Sequence, residues 1–134
     1  MRLWHKQLIP VLPRQQLIAQ WRECCCIARN IAINGTPNHI LVNRIMEYPL
    51  SHFQTYAKMI YIECVYRGYQ VNLYNFCKWI NENFEDVPTE DLFKNWHDMR
   101  YFWQCYYNLE EKFDCGGISF EEWETLCDEF VQWT

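Results

Sequence analysis

Leu12-Pro13-Arg14-Gln15-Gln16-Leu17-Ile18-Ala19-Gln20-Trp21-Arg22-Glu23-Cys24-Cys25-Cys26-Ile27-Ala28-Arg29-Asn30-Ile31-Ala32-Ile33-Asn34-Gly35 decides how this chain is read. Pro13 suits the first position of a helix, where its missing N–H costs nothing. Beyond it Leu17, Trp21, Cys24, Cys25, Ala28, Ile31 and Ala32 recur at steps of three and four, the period of a helix with one buried face. Asn34-Gly35 supplies the stop. The spacing predicts a helix of about 21 residues, roughly 32 Å long. Gln15, Ala19, Arg22, Cys26 and Arg29 also follow one another at helical steps and form a polar, basic stripe. Glu23 lies beside that stripe as the one acid among residues 1–46.

Outward from this helix, the pattern predicts an irregular segment over residues 1–12 and a short helix from His39 to Glu47 that stops before Pro49. A further helix is expected to open at Ser51-His52-Phe53-Gln54, a capping-box spacing, and to run through Phe53, Tyr56, Ile60 and Cys64 to Gly68. Asn72 to Asn83 reads as another, and a fifth is expected from Thr89 through Phe93, Trp96 and Trp103. After the Gly116-Gly117 break, Ser119-Phe120-Glu121-Glu122 caps a last helix to about Phe130. Alternating strand patterns are nearly absent. The expected fold is all-α, a compact single-domain helical bundle over residues 1–134.

Composition narrows the class. The chain has 134 residues, half of them hydrophobic and 18% aromatic, which excludes a disordered or linker-like chain. No apolar run approaches the roughly 20 residues that cross a bilayer. Met1 to Lys6 carries Trp4, His5 and two cations, unlike a secretion signal. These features predict a soluble, cytoplasmic protein without a membrane partner. The eight cysteines include three in a row and no Cys-x-x-Cys pair, so they read as small hydrophobes; neither a disulfide scaffold nor a metal site is expected. The net charge of −5 is unevenly distributed. Residues 1–46 hold Arg2, Lys6, Arg14, Arg22, Arg29 and Arg44 against Glu23 alone, while the remainder holds six cations against sixteen acids. Such a split points to a basic face for an anionic ligand on an acidic body. His39 and His97 read as exposed or capping residues. Trp96, Trp103, Tyr106 and Tyr107 read as core more than as stacking platforms. The EF-hand-like stretch before Trp123 puts Phe113 and Cys115 where calcium needs oxygen, so it reads as a turn.

Leu12 to Glu23 resembles the first helix of the pyrimidine-dimer DNA glycosylase family, the phage-type endonuclease V enzymes. Those carry a Gln-x-Leu-x-Ala-x-aromatic-Arg-Glu pattern at the same distance from the initiator methionine. Met1-Arg2-Leu3-Trp4-His5 and Leu12-Pro13-Arg14-Gln15-Gln16 look still more like an uncharacterised bacterial branch of that family. Ile62-Glu63-Cys64-Val65-Tyr66-Arg67-Gly68-Tyr69 resembles a second family block, Glu-Cys-x-x-Arg-Gly-aromatic. Together the matches cover about residues 1–72, leaving 73–134 as an acidic, aromatic-rich helical remainder.

The resemblance implies a DNA repair glycosylase with abasic-site lyase activity on damaged double-stranded DNA, such as pyrimidine dimers. In that family the N-terminal α-amine forms a Schiff base with the sugar, assisted by a glutamate, and no metal or organic cofactor takes part. Small residues follow the methionine in the phage-type enzymes, whereas Arg2 stands here, so methionine retention is expected and the implied nucleophile is the α-amine of Met1. Glu23 occupies the glutamate's place. The family's basic position after the glutamate is Cys26, and a helix histidine is Gln16. An α-amine suits the role because its ordinary pKa of about 7.7–8.0 leaves far more free base near neutrality than lysine's 10.4. Arg2, His5, Arg14, Gln15, Arg22 and Arg29 are the candidate DNA contacts. The rival reading is a catalytically inactive DNA- or anion-binding module on the same fold.

Overall fold

A computed structural model of the protein describes residues 1–81 and 83–134. Five α-helices follow in order, α1 (Arg14–Asn34), α2 (Leu50–Tyr66), α3 (Tyr74–Cys77), α4 (Met99–Asp114) and α5 (Phe120–Trp133), with 3-10 turns at Lys6–Val11 and Asn43–Glu47. Among the described residues there is no strand, so the expected all-α class holds. Among the described residues no helix is long and apolar enough to cross a membrane.

The first helix follows its sequence pattern closely. Leu17, Trp21, Cys24 and Ala28 are buried as the period requires, and Gly35 closes the helix in the left-handed region at φ 75°. Gln20 and Ile27 are buried on the same face. Gln15, Arg22, Cys26 and Arg29 are exposed along the other. α1 packs on α2 and α3, and the Lys6–Val11 turn packs on α2 and α5. The turn leading into α1 is held by Arg67 at the end of α2. Its guanidinium donates to the carbonyls of Leu12 (2.7 Å) and Pro10 (3.1 Å) and to the Glu63 carboxylate (3.0 Å). The Glu63–Arg67 pair of the second sequence block is therefore a clamp on the chain entering α1.

Other elements depart from expectation. α2 begins one residue before Ser51, with Pro49 at its N-cap and no side-chain capping bond. The anticipated helix over Asn72–Asn83 contracts to the single turn Tyr74–Cys77; Glu82 within it lies outside the described residues. The His39–Glu47 helix is a turn followed by a 3-10 segment. Thr89 to Trp96 is not helical. Phe93 (φ 51°) and Asn95 (φ 73°) sit in the left-handed region, which breaks a right-handed helix. Tight turns there still bury Leu92, Phe93 and Trp96, which is why the apolar spacing imitated a helix. α4 starts only at Met99, capped by the Asp98 side chain. The last helix has the expected capping box, with Ser119 and Glu122 bonded reciprocally. Cys24, Cys64 and Cys105 are buried as small hydrophobes, whereas Cys26 and Cys115 are exposed.

Two histidines lie inside this core. The rings of His5 and His97 stand 5.1 Å apart, and their Nδ1 atoms accept from the backbone N–H groups of Gln7 and Lys6, both at 3.0 Å. Burial pushes the His5 pKa down to about 4 and that of His97 well below its ordinary value. Both are neutral in the folded chain near neutrality. The unfolded chain therefore binds more protons once the pH falls below about 6.5, so this stability is present above 6.5 and drains away in acid. For His5 alone the loss by pH 4 is about 3 kcal/mol. Urea unfolding between pH 7 and 4.5 is expected to show a steep fall in midpoint. His5→Leu should flatten that dependence even if it lowers stability at pH 7, and an unchanged slope would remove His5 as its source.

Candidate active site

The site is built on a buried N-terminal segment that belongs to no regular element. Leu3 and His5 have no exposed surface and Trp4 is buried, so their peptide groups need partners within the protein. Side chains supply them. The Gln20 carboxamide, fully buried on α1, donates from Nε2 to the Arg2 carbonyl (2.9 Å) and accepts at Oε1 from the Trp4 N–H (2.7 Å). The single proton of the Tyr56 hydroxyl is shared between the Trp4 carbonyl (2.6 Å) and Gln20 Oε1 (2.9 Å). Tyr101 of α4 donates to the Leu3 carbonyl, and His97 accepts from Lys6. The segment is thereby laid across α1, α2 and α4 in one register.

That register brings the N-terminus to Glu23. Gln20 Nε2 also donates to Glu23 Oε2 (3.0 Å), so one carboxamide ties the backbone at Arg2 to the carboxylate. Burial raises the Glu23 pKa above the ordinary carboxylate value. The Met1 α-amino group, the Arg2 backbone N–H, His39 and Arg22 pull in the other direction. The upward shift moves this carboxyl toward the range in which it can both accept and return a proton. Glu23 opens on a cleft of about 400 Å³, whose walls include Trp4, Gln15, Arg14, Arg22 and Lys112. Three cations therefore face one carboxylate, an arrangement that favours a polyanion bearing the reacting group.

The candidate residues divide into four groups. Met1, Glu23, Arg22, Arg14 and Gln15 lie at or around this cleft. Arg2 is half-buried and turned inward, its guanidinium 5.5 Å from the Trp4 ring and its Nη1 3.9 Å from Cys105 Sγ. Arg29 is exposed on the same helix two turns beyond Arg22, about 10 Å along the axis and outside the cleft. His5 is corrected outright: it is a core residue packed against His97, Phe102 and Trp133, and a ring with no exposed surface makes no DNA contact. His39 caps a turn as expected, its Nδ1 accepting from the Leu41 N–H (3.3 Å). Trp96 and Tyr106 are buried, but Trp103 and Tyr107 are exposed on α4. Two residues that line or support the cleft escaped the sequence reading. Gln20 had a signal, a lone amide among the apolar positions of α1. Lys112 had none, because only the packing of α4 brings it to the cleft.

The all-helical chain thus brings its α-amine, a carboxyl with a raised pKa and several cations to one cleft. A family model for pyrimidine dimer DNA glycosylase matches residues 1–75, more than half of the chain. The protein belongs to that family. No curated protein and no solved structure gives a significant match.

Replacing Gln20 with leucine would keep the apolar packing but leave the Arg2 carbonyl and the Trp4 N–H short of a partner inside the protein. Each such group costs on the order of 1–3 kcal/mol. Urea titration of Gln20→Leu is expected to show a loss of about 2–4 kcal/mol. A loss below about 0.5 kcal/mol would show that the N-terminal segment is not held by this amide.

Proposed function

We propose that this chain is a DNA glycosylase with abasic-site lyase activity, acting on damaged DNA such as pyrimidine dimers through the α-amine of Met1. The observation that carries the reading is the Gln20 bridge, which ties the Arg2 peptide to Glu23 beside the N-terminus. In this reaction the free amine attacks the sugar's anomeric carbon. The bond to the base breaks, its electron pair leaves with the base, and the sugar ring opens to an iminium. Glu23 stabilises that cation and accepts a proton during rearrangement. Loss of a proton from the neighbouring sugar carbon then expels the 3′ phosphate, which nicks the strand, and water frees the amine.

Arg14, Arg22 and Lys112 hold the phosphates flanking the lesion, Gln15 adds a neutral hydrogen bond, and Arg29 extends the track along α1. Arg2 acts from behind: against Trp4 and Cys105 it fixes the first peptide rather than gripping DNA. Where the family has a small residue after the methionine this chain has Arg2, whose packing on Trp4 anchors the first peptide.

Borohydride reduction of the protein with a duplex carrying one abasic site is expected to trap an adduct at residue 1. The protein must have a free α-amine, verified by intact mass. Glu23→Gln should retain DNA affinity yet turn over about 10²- to 10⁴-fold more slowly. Salt-sensitive DNA binding without an adduct would instead support the inactive binding module. No salt-dependent binding at all would overturn both.

A further inference from the structure

The loop that leaves α1 returns toward the cleft. Asn30 lies seven residues beyond Glu23, about two turns along α1 and within roughly 20° of the same face, so about 10 Å separates them along the axis. The Asn30 Nδ2 donates to the Pro37 carbonyl (3.1 Å), which holds the chain after Gly35 against that face. Two residues on, His39 comes close enough to Glu23 to favour the ionised carboxylate.

The loop is pinned from within. The Asn38 N–H donates to the Thr36 hydroxyl (3.2 Å), the His39 N–H to Asn43 Oδ1 (2.9 Å) and the Leu41 N–H to the His39 ring (3.3 Å). Asn38 takes the left-handed conformation at φ 58°, which asparagine tolerates better than most residues. What this fixed loop presents to solvent is apolar. Ile40 is 85% exposed, and Leu41 is exposed beside it. Single exposed apolar side chains are ordinary. Here two neighbours occupy a fixed loop tip close to the reacting carboxylate, and β-branched Ile40 is stiff at its first side-chain torsion. Arg29, the residue before Asn30, is exposed and places a cation near the same loop.

An apolar tip next to a cation matches double-stranded DNA, whose phosphates meet the cation while its base stack receives the apolar group. Isoleucine and leucine are among the side chains that proteins slide between base steps to kink a duplex. Unstacking costs least where a lesion has already weakened the stack. The separation of about 10 Å corresponds to roughly three steps of a stack rising about 3.4 Å per base.

Building on the reading of the Glu23 cleft as a DNA-repair site, we infer that Ile40 is a wedge that enters the base stack of duplex DNA within about three steps of the lesion. Leu41 packs behind it. The wedge touches neighbouring bases, moves no proton, and opens the damaged nucleotide to the α-amine.

A duplex with one abasic site and 2-aminopurine two positions away reports the insertion, because stacking quenches that base. Wild-type protein at saturating concentration is expected to raise its fluorescence several-fold. Ile40→Ala should lose most of the rise, with an unchanged melting temperature because the side chain is exposed, and Ile40→Leu should restore it. Ile40→Ala should also lower the ratio of borohydride trapping rates on duplex and single-stranded abasic DNA about 10-fold, since a single strand has no stack to open. A wild-type rise without any trapped adduct would sink the lyase reading yet support the wedge. Duplex binding by the wild type without a rise would overturn the wedge and spare that reading. An equal rise with Ile40→Ala, or an unchanged trapping ratio, would overturn it as well, and failure to bind the duplex at all would overturn both.

Discussion

A peptide segment buried outside any helix or sheet must find partners for the N–H and C=O groups it carries, and in this protein the stretch from Arg2 to His5 faces that requirement. The solution is a set of side chains drawn from distant elements. Gln20 serves Arg2 and Trp4, Tyr56 serves Trp4, Tyr101 serves Leu3, and His97 serves Lys6. Gln20 matters most because its two ends face in complementary directions, acceptor toward Trp4 and donor toward Arg2 and Glu23. The core is arranged so that these groups converge on one strip of backbone. The position of the chain's first atoms is consequently a property of the whole interior.

The same view reorders the cations. The basic character of residues 1–46 suggested a single surface, but part of that charge serves the interior. Lys6 bonds to the carbonyls of Thr89 and Leu92, fastening the turn that precedes α4. Arg44 stays at the surface, where it pairs with Glu47 at 3.3 Å and lies over Trp96. Arg2 packs on Trp4. Arg14 and Arg22 remain beside the cleft, joined by Lys112 from the acidic half of the chain. A whole-chain charge of −5 is thus compatible with a locally positive cleft.

Legibility in the sequence followed the locality of the physics. α1 could be read to its last residue because its period, its glycine stop and its polar stripe are all short-range signals. The capping box of α5 is equally local. The segment from Thr89 to Trp96 could not be read this way, because the left-handed residues Phe93 and Asn95 are held by contacts from afar. The Phe93 N–H donates to the His52 ring, and Tyr48 donates to the Lys94 carbonyl. Glu23 was visible as a lone acid in a basic stretch. His5 was misjudged because a histidine near a terminus reads as polar, whereas its neighbours here are aromatic rings. Lys112 became visible only once α4 was in place.

The hydrogen bonds that fix the N-terminal segment also set the order in which the molecule can be completed. Tyr101 and Leu3 are 98 residues apart in sequence, and His97 and Lys6 are 91 apart. Many domains settle from the N-terminus as they are synthesised. Here the first residues made are only partly held by Gln20 and Tyr56 until the chain has reached His97 and Tyr101, which bond Lys6 and Leu3. Closing contacts over such separations slows folding relative to a bundle built from local pairs. A chain that stopped short of α4 would carry both family motifs yet lack the Tyr101 bond to Leu3 and the Lys112 wall of the cleft.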